Sequence, residues 1–496
     1  MRLAISNKQF VFLRNTMSYD PQEQIKLKPG GVRELLVIAL PMVISNACEV
    51  VMTFTDRLFL AKIGPEQMSA AMAGGLTCYL MMTFIMGLTN FSTALVAQNL
   101  GSGRKEKCAS VFAQALIICV AAYPVILLLR PVGPWLFAVA NVDEAQLTPQ
   151  IQYYNILLYA VIVSLVRNAL SCFFSGIGKT RVVMLSAMVA MAVNIFMNYV
   201  LIFGKLGFPE MGIRGAALGT VCGGVCGMLC LIIAFFSPKN RAAYNVMAGL
   251  RFNWSIMKPL LRFGYPAGIE FFLNLTAFTA AIFIFHSRGA ETAAAVTILF
   301  NWDMLTFIPL IGIQIGVMSL VGRYMGAGDP ETASRAAISG LKCGWMYSAV
   351  MLIMFVGFSG HLVEMFRPSD AEKIIAFEQQ VAPMARFLVK TIAFYIMMEA
   401  VVIVFSGALR GAGDTFWAMC ISVSMHWIIV PVLYVMLKVF DASAESGWVA
   451  FISIFMFFAF VFYLRFKIGK WKSIKVVEHE EEAPLPHSDF HETPDL

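Results

Sequence analysis

Charge is what this sequence has least of: only 14% of its 496 residues are Asp, Glu, Lys or Arg, where a soluble chain carries about 25%. Long polar stretches are missing too, so no loop between the apolar runs is large enough to hold a separate soluble domain. These absences exclude a soluble enzyme, a nucleic-acid-binding domain and a disordered chain. Cysteine is present, but its ten copies lie almost entirely inside apolar runs, which is not the pattern of a disulfide framework. Nor is there an HExxH, a GxSxG or a paired Cys/His set, so a membrane-embedded enzyme is not favoured and no metal site is expected.

What is abundant is apolar surface, at 59% of residues. A spanning helix needs about 20 largely apolar residues. Runs of that kind lie near 33–58, 68–99, 108–130, 150–176, 181–203, 211–236, 258–286, 292–323, 333–358, 380–407, 416–438 and 444–466. The fold class expected is therefore an all-α integral membrane protein with twelve transmembrane helices. Lys and Arg set the orientation. With the N-terminus inside, 25 of the 37 cations fall on inner segments, Arg104, Lys105, Lys107, Lys179, Arg181 and Arg410 among them. Both termini are expected in the cytoplasm, at a cell membrane, with no cleavable leader. The tail from Glu478 onward carries seven acids and no Lys or Arg, and its His479, His487 and His491 read as a solvated tail.

The chain also repeats itself. Pro41 and Pro266 are each expected to open a helix, and their shift of 225 residues holds through Gly64/Gly289, Gly87/Gly312, Gly101/Gly326 and Glu106/Glu331. Gly176-Ile-Gly-Lys-Thr180 then matches Gly411-Ala-Gly-Asp-Thr415 at a shift of 235. Six helices per half make the halves parallel repeats about an axis along the membrane normal, with a substrate site between them. The organisation expected is an N-terminal segment 1–32, an N-lobe 33–236, a linker 237–257, a C-lobe 258–466 and a tail 467–496. Two lobes that can rock favour a carrier over a pore.

Two features are decoys. Ser175-Gly-Ile-Gly-Lys-Thr180 imitates a phosphate loop, but Phe173 stands where that loop needs Gly and no strand precedes it. Cys222, Cys226 and Cys230 share a helix face with Gly219, Gly223 and Gly227, which reads as small-residue packing rather than a soft-metal path.

Pro41-Met-Val-Ile-Ser with Phe54-Thr-Asp56, the turn Gly101-Ser-Gly-Arg104, Gly204-Lys-Leu-Gly-Phe-Pro-Glu-Met-Gly-Ile-Arg-Gly-Ala216 and Gly407-Ala-Leu-Arg-Gly-Ala-Gly-Asp-Thr415 keep an order that resembles the multidrug and toxic compound extrusion (MATE) family, nearest its bacterial NorM-like branch. The resemblance covers roughly residues 30–465. The loop Gly101-Ser-Gly-Arg-Lys-Glu-Lys107 lacks the pattern of the other twelve-helix carriers, the major facilitator superfamily. It implies an antiporter that exports amphipathic, cationic organic compounds in exchange for Na+ or H+, with no cofactor beyond the coupling ion. A dedicated metabolite exporter or a lipid-linked precursor flippase on a similar fold is the alternative, and a flippase would need a strongly basic cavity. A monomer suffices for such a carrier, in contact with lipid and with no nucleic acid.

An ionisable side chain inside a span is a functional candidate by default. Asp56 stands where the NorM-like pattern has its first-helix acid, and it can exchange a proton or hold Na+ or a cationic drug. Glu49 lies seven residues earlier on nearly the same face, a departure from the family. Asn194 and Asn198, one turn apart, match family asparagines whose amide oxygens suit Na+. In the second half Tyr395 and Glu399 match the tenth-helix aromatic and acid, whereas the seventh-helix acid is replaced by Asn274, with Glu270 one turn earlier as a substitute. Asp303, Lys390 and Arg167 are further departures. An Asp303–Lys390 or Glu270–Lys390 ion pair is expected, since buried charges pair, with Lys390 moving between those acids and Glu399 during transport.

Overall fold

The computed structural model describes residues 28–140, 142–368, 374–375 and 377–477. Eleven of its helices are each long and apolar enough to cross a membrane, and one bent pair makes a further span. In chain order the first half holds α1 (Val32–Ala61), α2 (Glu66–Gly101), α3 (Lys105–Leu128), α4 (Glu144–Tyr159 and Val161–Gly176), α5 (Thr180–Ile202) and α6 (Ile213–Phe235). The second half holds α7 (Trp254–His286), α8 (Ala290–Gly326), α9 (Pro330–Glu364), α10 (Phe377–Ala412), α11 (Thr415–Val439) and α12 (Ala444–Ile468). Two short helices, Pro238–Tyr244 and Val246–Gly249, join the halves. The acidic tail with its three histidines, and the basic residues before Lys28, lie outside the described residues.

The helices run where the apolar runs place them, because a backbone in lipid must satisfy its own N–H and C=O groups. Two local readings need correction. Pro41 and Pro266 do not open their helices: α1 begins at Val32 and α7 at Trp254, and both prolines are buried inside. A membrane helix tolerates a proline in its interior when neighbouring helices pack over the lost hydrogen bond. The fourth span is not straight either. Its two pieces meet at 48°, and the Tyr123 hydroxyl donates to the Tyr159 carbonyl at the break, at 2.8 Å.

Each half has its own apolar core. One is built on α8, α9, α10 and α12, the other on α2 to α4 with α6. At the end that carries the described chain ends, the halves close on each other through backbone and small residues. A Cβ on Gly87 would stand 2.6 Å from the Ala267 carbonyl, and one on Gly312 would stand 2.7 Å from the Val43 nitrogen. Gln98 Nε2 donates to the Gly411 carbonyl at 2.8 Å, Ser319 Oγ to the Ser175 carbonyl at 2.8 Å, and the Tyr324 hydroxyl to Glu34 Oε2 at 2.8 Å. Both ends of the described residues cross this seam. Ser339 on α9 donates to the Gly30 carbonyl at 2.7 Å. Beyond α12, Trp471 is buried in the second half's core while Val476 joins that of the first. At the opposite end, by contrast, the hydrogen bonds and ion pairs among the described residues stay within one half, as Ile213 N to Gln67, Arg214 to Gln152 and Arg288 to Asp441 show.

Candidate functional site: a cavity between the halves

A closed seam at one end and unlinked halves at the other leave a central cavity of about 570 Å³. Its walls come from α1, α2, α4, α5 and α6 on one side and α7, α8 and α10 on the other. Five methionines (Met42, Met52, Met82, Met86 and Met318) supply a soft, adaptable surface beside Tyr79 and Phe91. Glu49, Arg167 and Arg410 are the charged residues of the lining. The Arg167 Nη2 lies 2.7 Å from Glu49 Oε1, and Arg410 Nη2 donates to Glu270 Oε1 at 2.6 Å.

Asp56 sits beside this cavity rather than on its wall. Only 8% of it is exposed, so it does not reach out to water beside Arg57. Asn198 Nδ2 donates to its Oδ1, and Thr220 Oγ1 donates to its Oδ2 at 3.0 Å. Asn194 Nδ2 in turn donates to Thr220 Oγ1 at 3.4 Å. The local sequence explains the cage. Asn194 and Asn198 are one turn apart on α5, and the glycine face of α6 lets that helix come close: a Cβ on Gly223 would stand 2.9 Å from the Asn194 Cβ. Thr220 is part of this cage and also lines the cavity.

The second half holds a separate cluster. Glu399 is 3% exposed, and the Tyr395 hydroxyl donates to its Oε1 at 3.0 Å. Phe455, Trp448 and Phe451 surround Tyr395, with ring centroids at 4.8, 5.8 and 5.9 Å. Asp303 is 7% exposed and lies within electrostatic reach of Glu399. Glu399 Oε2 and Asp303 Oδ1 are buried without a hydrogen-bond partner.

Three sequence expectations fail here, those for Lys390, Glu270 and Arg410. Lys390 is exposed and makes no ion pair among the described residues, so neither the Asp303–Lys390 nor the Glu270–Lys390 pair forms, and a Lys390 toggle has no geometry to work with. Position 390 falls on the outer face of α10, whereas Glu399 falls on its inner face. Glu270 does not stand in for the missing seventh-helix acid, because Arg410 holds it; the second carboxylate near Glu399 comes from Asp303. Asn274 instead donates to Ser422 Oγ at 2.8 Å. Glu49 pairs with Arg167 and takes no part in the Asp56 cage. Arg410, counted from sequence as an inner-loop cation, lies within α10 and lines the cavity. Thr220 was missed altogether, since a threonine in a spanning helix carries no distinguishing signal. Cys222, Cys226 and Cys230 are half-buried, and no group of three or more potential metal ligands exists among the described residues.

Two six-helix halves around a cavity closed at one end, each half holding a buried acid site of its own, define a membrane transporter of the two-lobed carrier class. The MatE family model matches residues 41–200 and again 266–435, one match in each half and more than half of the chain. The chain belongs to this family of MATE transporters. It is 27% identical over 471 residues to a probable multidrug resistance protein NorM of Thermotoga maritima, covering 94% of this chain and 98% of that one. It is 25% identical over 430 residues to the multidrug resistance protein MdtK of Yersinia pseudotuberculosis, covering 85% and 92%. Among solved structures, a MOP superfamily transporter from Pyrococcus furiosus, described by the reverse polarity of its binding pocket, aligns with a TM-score of 0.82 at 18% identity over 92% of this chain and 100% of that one. A multidrug resistance MATE family transporter in an outward-facing conformation aligns with a TM-score of 0.81 at 18% identity, over 92% and 100%. At these identities the structural likeness speaks for the fold.

Proposed function

We propose that this protein is a secondary active multidrug exporter, an antiporter that moves amphipathic organic compounds out through the central cavity in exchange for Na+ or H+. The observation that carries this reading is Thr220, which lines the cavity and donates to Asp56. Through it, an ion or proton arriving at the buried carboxylate changes a side chain on the substrate wall. With both termini in a bacterial cytoplasm, as the positive-inside pattern favours, the closed seam is the cytoplasmic gate and the structure represents the outward-facing state. The coupling ion reaches Asp56 from outside, and one chain suffices because its own two halves enclose the site. The Asp303–Glu399 cluster is a second ion-binding candidate in the other lobe.

The reading is tested by efflux from proteoliposomes loaded with a fluorescent amphipathic dye, under separately imposed Na+ and H+ gradients. One gradient is expected to drive efflux, and Asp56→Asn to abolish that dependence. If neither gradient moves any dye, the antiporter reading is wrong. A dedicated metabolite exporter is the second reading, and the presence of Arg167 and Arg410 on the cavity wall is what favours it.

A further inference from the structure

We propose that the cavity recognises amphipathic compounds carrying a carboxylate, which Arg167 and Arg410 grip from opposite halves in place of their resident glutamates. The proposal rests on the cavity being the substrate site and names the chemistry that the site selects.

The charged lining is two arginines and one glutamate. The second glutamate, Glu270, is only 2% exposed and lies beneath Arg410 rather than on the wall. A cation entering this cavity would therefore meet two guanidinium groups and one carboxylate, all in ion pairs, with the fourth partner, Glu270, withdrawn beneath Arg410. Like charge facing like charge is unfavourable in a partly desolvated site. The resemblance implies cationic substrates, but on this wall Glu49 faces the cavity only as the partner of Arg167, and Glu270 lies off the wall.

Unused donors point the same way. A guanidinium offers five N–H groups in a planar fork that suits a carboxylate. Arg410 makes its contact through Nη2, and its Nε is buried with no acceptor. Of the lining residues, the other with a buried polar side-chain atom lacking a partner is Asn46, again at a donor, Nδ2. Asn46 is three residues before Glu49 on α1, hence on the same face and beside Arg167's partner. Both unused groups call for an acceptor.

The arginines also divide between the moving parts. Arg167 belongs to α4 of the first half and Arg410 to α10 of the second. They are not copies of one position, because the duplication's shift sets Arg167 against Val402 and Arg410 against Ser175. A carboxylate held by both would tie the halves together, with Glu49 and Glu270 released as it binds and recaptured as it leaves. The methionines, Tyr79 and Phe91 would take the compound's apolar body.

Two dyes that differ in one group decide the matter: rhodamine 110, with a free carboxylate, and rhodamine 123, its cationic methyl ester. Affinity is read by fluorescence anisotropy on the full-length protein in nanodiscs, beside gradient-driven efflux of both dyes. The acid is expected to bind at least about tenfold more tightly, the scale of one charge-assisted hydrogen bond. That ratio should collapse in Glu49→Gln/Arg167→Gln and in Glu270→Gln/Arg410→Gln, double variants that leave no buried charge alone. An ester bound as tightly as the acid, undetectable acid binding, or a ratio unchanged in both double variants overturns the proposal. Efflux that depends on Asp56 without any acid preference sinks this proposal and spares the antiporter reading. An acid preference that both double variants abolish, with no dye moved by either gradient, supports the anion site and sinks the antiporter.

Discussion

Asp56 and Glu399 are both buried acids, yet their surroundings differ. Asp56 receives donors on both oxygens, from Asn198 and from Thr220, and so is held in one orientation. Glu399 has one donor, Tyr395, and one oxygen without a hydrogen-bond partner, with Asp303 within electrostatic reach. Thr220→Val keeps the shape but removes the link between Asp56 and the cavity; gradient-driven efflux is expected to fall about tenfold or more, with the protein still folded by size-exclusion chromatography. Asp303→Asn tests the other lobe. It is expected to change the ion dependence of efflux while leaving dye affinity in the central cavity within about twofold, since distant sites act independently.

Lys179, in the α4–α5 turn outside the spans, gives a pH prediction. Burial, with Lys239 nearby, lowers its pKa from 10.5 to about 8, while its ammonium donates to Asn240 Oδ1 at 2.6 Å. The folded protein thus gives up this proton first. From pH 8 to 10.5 the unfolded chain holds the extra proton, so stability rises with pH across that window. The melting temperature of the protein should climb relative to Lys179→Gln between pH 8 and 10; a constant difference would refute it.

Among the elements, the contact of α5 with α6 builds the Asp56 cage. Gly223 lies against Asn194, so Gly223→Leu must push the helices apart, at about 1–3 kcal/mol. The variant is expected to melt lower and to lose Asp56-dependent coupling together, as measured by thermal unfolding and efflux. The spans themselves were legible because lipid leaves the chain little choice: an apolar run of the right length becomes a helix. The duplication was legible too, for its glycines mark turns and close approaches that both halves need. Side-chain partners were harder to read. Sequence places Glu49 on the face of Asp56 but says nothing of Arg167, which arrives from α4 more than a hundred residues later. A cation near a helix end reads as a loop charge, so sequence alone assigns Arg410 to topology, whereas it lines the cavity. Lys390 is given Asp303 or Glu270 as a partner by the rule that buried charges pair, but it is exposed, on the face of α10 opposite Glu399.

At the scale of the molecule, the two halves meet through glycines and backbone rather than through a belt of charges. The packing of such a seam responds to single methyl groups. Gly87→Val would drive side-chain carbon into the Ala267 carbonyl and Gly268. Overpacking of about 1–3 kcal/mol corresponds to a shift of roughly 5- to 150-fold between closed and open seam. In a single-cysteine protein carrying Thr53→Cys on the cavity wall, labelling from outside should slow accordingly. Unchanged labelling would mean that the seam is not the gate.

Because Gly30 is held by α9 of the opposite half and Val476 is packed into the core of the first, each end of the described residues is fastened across the seam. Opening the seam must therefore peel both ends from their seats. The ends then become natural indicators of the transport cycle, and a fluorophore fused close to Val476 would blink with each turnover rather than merely mark the protein's place. By the same logic, a bulky insertion directly beside Gly30 or Val476 would act as a brake or a spring on the seam.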